Sequence, residues 1–173
     1  VTFIADGISL PQAKAALAPG QLPDKPSELI LVALADLEKV EASACYRVDM
    51  GVYHEPAQRY EGRSLRISAE DINDERCLVC FAGSVMAMTL DAPSDQKLWP
   101  VDFGDNSDKL EALDSFRCGD LENGFIELGI VTEDKGMPND LPTCLEICPY
   151  AIEPATFKAD MRDMAQMLAE AGY

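Results

Sequence analysis

CLVCFAGSVMAMTL (77–90) is the longest stretch of the chain without a charge, fourteen residues in all. How it is read decides the fold. It is too short to span a bilayer, and it is apolar nearly all round, the pattern of a helix buried on every side. Asn73 or Asp74 can cap such a helix, and Glu75 suits its positive end. The run therefore predicts a helix over about residues 73–90 through the middle of the core. Ala82, Gly83, Ser84 and Ala87 are small enough to let another helix approach closely.

Working outward, Ser27–Ser43 carries Leu29, Leu31, Val32, Leu34, Leu37 and Val40 at helical spacing. Ser107 can cap a helix through Arg117, with Leu110, Leu113 and Phe116 on one face. A shorter helix is expected over Asp120–Leu128, weakened by Asn123-Gly124, and an amphipathic one over Pro154–Ala171, ended by Gly172. Pro11 and Pro19-Gly20 bracket a short helix over about residues 10–18, and Cys144–Cys148 reads as a helical turn stopped by Pro149. YRVDMGVYHEP (46–56) is the least helical part, and a small strand pair fits near residues 46–67. The expectation is a mainly α fold, a single domain over residues 1–173.

The charge is the strongest compositional signal. The 173 residues hold 31 acids and 14 bases, a net of −17, yet 47% of them are apolar, so the acidity is not that of a disordered chain. Residues 1–101 have 15 acids and 9 bases, whereas residues 102–173 have 16 and 5. Such a field repels phosphate backbones and anionic lipid, and attracts basic protein surfaces. Neither direct nucleic-acid binding nor a membrane partner is expected. On the helix after Ser107, Asp108, Glu111 and Asp114 project away from the Leu110/Leu113 stripe, about 5–6 Å apart at i, i+3. With Asp102, Asp105, Asp120 and Glu122 they form a candidate partner-binding ridge able to mimic nucleic acid on a basic protein. The plainer reading is a solvated face that confers solubility.

The six cysteines are too few for a disulfide scaffold, and Val1 to Leu10 has no basic region before its apolar residues. Both features fit reduced thiols in a cytoplasm. Cys77 and Cys80, at i, i+3, and Cys144 and Cys148, at i, i+4, would place two thiolates on one helix face each, an alternative zinc site. Otherwise they are small core residues, and no cofactor is expected. Cys77 or Cys80 could instead pair with His54, the only imidazole, as a thiol enzyme. Arg47, Arg59, Arg63, Arg66 and Arg76 could hold a small anion, although seven acids between Arg47 and Arg76 favour internal ion pairs. Phosphate-loop, dinucleotide, zincin and nucleophile-elbow motifs are missing.

Three stretches carry a resemblance: YRVDMGVYHEP (46–56), CLVCFAGSVMAMTL (77–90) and KLEALDSFRCGDLENGF (109–125). Together they resemble a group of small phage- and prophage-encoded proteins with an acidic-aromatic-His loop, a C-x-V-C-x-A-G-x-x-M-A segment and an L-x-A-L-D-x-x-R-x-G segment. Tyr53 stands where that pattern has Trp, and Phe81 where it has Leu. The resemblance covers about residues 27–128 and implies a setting, the cytoplasm of an infected or lysogenic bacterium, rather than an activity. It makes an acidic inhibitor of nucleic-acid-handling or defence machinery the leading expectation. A Cys–His enzyme and a zinc-stabilised scaffold or virion component are the alternatives.

Overall fold

The computed structural model describes residues 20–57, 75–141 and 145–173, together with the backbone of the two-residue strands β1 (Ile4–Ala5) and β2 (Ile8–Ser9). The helix expected near residues 10–18 lies outside these residues. The fold is mainly α, with a small sheet at its side. Its helices are α1 (Pro26–Ala42), α2 (Phe81–Met88), α3 (Ser107–Arg117), α4 (Leu121–Glu127) and α5 (Pro154–Glu170). The sheet holds β3 (Tyr46–Val48), β4 (His54–Pro56) and β5 (Cys77–Val79).

The 77–90 run corrects the sequence reading. It is not one helix but a strand, a one-residue cap and a helix. Cys77–Val79 is the central strand, parallel to β3 and antiparallel to β4, and fully buried. A short apolar run looks the same as a buried strand or a buried helix by periodicity alone, and here two neighbouring strands take its backbone hydrogen bonds. Cys80 ends the strand in an extended conformation, and its Sγ accepts from the Gly83 N–H, capping α2. Residues 75 and 76, expected to be helical, are not. Leu145 to Pro149 likewise show no helical turn, and Cys144 lies outside the described residues.

Packing follows from the apolar faces. The buried stripe of α1 (Leu29, Ile30, Ala33, Leu34, Leu37) meets α2 and α5. Phe81 at the start of α2 meets Phe157 of α5 edge to face at 5.5 Å. Burying each such side chain contributes roughly 1.5–3 kcal/mol. Asp36 is fully buried within α1 but accepts a hydrogen bond from Thr89 Oγ1 at the end of α2, tying the two helices together. On the outside of the α1/α5 seam, Arg162 pairs with Glu38 at 2.8 Å and Lys158 with Glu41 at 3.1 Å.

The helices α3 and α4 form a tight pair. The Phe116 ring sits against Gly124, where an added Cβ would lie 2.2 Å from it, and meets Phe125 at 6.0 Å. Among the described residues no helix is long and apolar enough to cross a membrane.

Candidate functional site

The turn from β5 into α2 separates two environments. On the strand side, Cys77 lies between Tyr46 on one neighbouring strand and the diagonal His54 on the other. Its Sγ is 3.6 Å from His54 Nε2 and 3.7 Å from Nδ1. His54 Nδ1 is 2.9 Å from the Gln96 carbonyl oxygen, which can only accept. Nδ1 therefore carries the ring proton, and Nε2 presents a lone pair to the Cys77 thiol. Both residues are closed off, His54 at 1% and Cys77 at 2% exposure. Burial pushes the Cys77 thiol up to about 12 and holds the imidazole below its usual range. The sequence pairing of Cys77 with His54 is thus met in space, as a neutral thiol hydrogen-bonded to a neutral imidazole. An activated thiolate would need the opposite shifts.

On the helix side, Cys80 borders a cavity of about 230 Å³. Its walls come from three parts of the chain: Met50 to Glu55, Lys97 to Trp99, and Asp114 with Arg117 on the last turns of α3. The Tyr53 carbonyl accepts from the Cys80 N–H, and a Cβ on Gly83 would stand 1.7 Å from that same oxygen. Only glycine lets α2 press this close to the Tyr53 backbone. The Leu98 N–H donates to the His54 carbonyl at 2.9 Å, which brings Trp99 to the rim. There Tyr53 and Trp99 meet edge to face at 6.0 Å, and Trp99 stays 49% exposed.

Among the described residues, the charges of the cavity are paired. Lys97 Nζ is 3.4 Å from Glu55 Oε2 and 5.1 Å from the centre of the Trp99 ring. Arg117 donates from Nε and Nη2 to one oxygen, Oδ1 of Asp114, at 3.0 and 2.8 Å. Burial, reinforced by Asp114 and Glu111, pushes the Tyr53 hydroxyl up to about 12. Burial also pushes Cys80 up to about 12, so its thiol acts as a cap and a wall.

The predicted acidic ridge divides. Asp102, Asp105, Asp108, Glu111, Asp120 and Glu122 are exposed, and Asp114 is half-buried. Asp102 accepts from the Trp99 N–H, Asp120 caps α4 by accepting from the Asn123 N–H, and Asp114 is held by Arg117. Sequence reading missed Glu127. Its Oε2 accepts from Ser115 Oγ at 2.9 Å, and burial, then Glu111, Asp114 and Asp120, push its carboxyl upward. Acids of α3 and α4 therefore share one field.

The cysteine zinc site loses its geometric premise, since Cys77 and Cys80 occupy a strand and a cap rather than one helix face. Among the described residues no group of three or more His, Cys, Asp or Glu side chains is placed to hold a metal ion. Of the arginine group, Arg59, Arg63 and Arg66 lie outside the described residues, while Arg47 and Arg76 line a hollow with Tyr46 and Tyr150. The lining of the 230 Å³ cavity was legible only in fragments: the i, i+3 spacing of Asp114 and Arg117 predicts their pairing, but nothing local joins them to Tyr53 or Trp99. No family model, curated protein or solved structure matches the chain.

Proposed function

We propose that this chain is a phage-type accessory protein that binds a basic, nucleic-acid-handling protein through the acidic face of α3 and α4. One observation carries the reading: Asp108 and Glu111 on α3, Asp120 at the cap of α4 and Glu122 on α4 are all exposed carboxylates on two helices packed against each other. Like charges gathered this way work against folding and gain when a cationic surface neutralises them. Ile126, 49% exposed on α4, supplies apolar area beside these carboxylates. The seam of α1 and α5 offers no such gain, because Glu38 and Glu41 already have partners.

The test is capture from bacterial lysate at low salt, followed by the purified partner and a Glu111→Lys/Glu122→Lys variant. The reading expects a basic protein released by salt, and affinity reduced at least about tenfold by the double reversal with the fold retained. Undiminished binding by the folded variant, or no basic protein retained, refutes it.

A further inference from the structure

We infer that the cavity between the Tyr53 loop, the Trp99 segment and the end of α3 is a binding site for a small zwitterion of the α-amino-acid class. Its carboxylate meets Arg117 Nη1, its ammonium meets Asp114 Oδ2, and its apolar side chain lies among Met50, Val52, Tyr53 and Trp99.

Unspent bonding capacity makes the first argument. Arginine and a carboxylate commonly share two parallel bonds that use both oxygens. Here both bonds from Arg117 end on Oδ1 of Asp114. Oδ2 of Asp114 and Nη1 of Arg117 are left as an acceptor and a donor not bonded to each other, on two residues that line the cavity.

Charge makes the second. Among the described residues the walls hold two acids and two bases, with Glu55 beside Lys97 and Asp114 bonded to Arg117. A ligand of a single sign gains from one member of each pair and is opposed by the other. The chain's net −17 further disfavours an anion. A zwitterion satisfies both members of a pair at once without separating them.

Size and surface make the third. At roughly 30 Å³ per water, 230 Å³ holds about seven or eight waters, the scale of a leucine or methionine molecule. The half-exposed Trp99, set edge-on against Tyr53, gives the apolar side chain an aromatic wall to cover.

The site does not depend on the partner reading, and a purified chain tests it. Trp99 is the only tryptophan, so its fluorescence reports the rim directly. L-leucine and L-methionine are titrated beside isoamylamine, which lacks the carboxylate, and 4-methylpentanoate, which lacks the ammonium. The expected result is a saturable change with the amino acids, at least about tenfold tighter than with either analogue, the worth of one charge-assisted hydrogen bond. Arg117→Gln and Asp114→Asn each remove the same preference. Should those variants not fold, the analogue series with the unaltered chain decides alone. No saturable response to either amino acid overturns the site, as does equal binding of an analogue. The Glu111→Lys/Glu122→Lys variant leaves the cavity walls intact, so loss of the partner and loss of the zwitterion are separate results.

Discussion

Cys77 and Cys80 are the same residue type three positions apart, yet the turn between strand and helix gives them opposite surroundings. Cys77 faces a closed space with His54, Tyr46 and the β5 backbone. Cys80 caps α2 and borders an open space walled by two ion pairs. The first arrangement stabilises by burial and neutral hydrogen bonding, with both side chains almost wholly buried. The second leaves bonding capacity facing solvent. Function is thus better sought at the cap than at the thiol–imidazole pair.

The most severe way to break this division is Gly83→Ala. The new Cβ would meet the Tyr53 carbonyl at 1.7 Å, and a backbone oxygen has no rotamer by which to yield. We expect a loss of at least about 3 kcal/mol, or roughly 6–12 °C in Tm for a chain of this size. Thermal unfolding measures it, and a variant within a degree of the parent would show that α2 does not bear on the Tyr53 backbone as described.

A milder substitution separates the two roles of Cys80. Cys80→Ala removes both the buried sulfur and the acceptor for the Gly83 N–H, for a cost of about 1–2 kcal/mol. Cys80→Ser keeps an acceptor at the cap and should cost less than Cys80→Ala. Equal losses in denaturant titration would mean that the sulfur is packing alone.

The smallest effect sharpens the other side. Burial lowers the His54 pKa from its ordinary 6.5, so the unfolded chain takes up the proton first as pH falls. The contribution of the neutral imidazole is complete above pH 6.5 and is lost progressively below it, towards the folded value. As the single histidine, it gives one imidazole resonance to follow by NMR, and a midpoint at or above 6.5 would contradict its closure. His54→Gln should flatten the slope of stability against pH just below 6.5.

Periodicity long enough to be unambiguous made most of the architecture legible. Both α1 and α5 run seventeen residues with apolar stripes, and α3 is marked by Leu110, Leu113 and Phe116, so each lies close to where the pattern places it. The pairing of His54 with Cys77 was also within reach, because one imidazole and few thiols leave little choice of partner. The 77–90 run was misread because three apolar residues of a central strand and eight of a buried helix present the same unbroken hydrophobicity.

By itself the sequence determined the helical class, the acid excess after residue 101 and which face of α3 is polar, since each depends on composition or on spacing within one element. The tertiary structure alone decided that acids of α3 and α4 share a field and that Tyr53, Trp99 and Arg117 surround one cavity. Those are relations between segments up to 64 residues apart, Tyr53 to Arg117. The cavity exists because strand pairing at Cys77–Val79 and the close approach at Gly83 bring its segments together, and the shared field because α3 packs on α4.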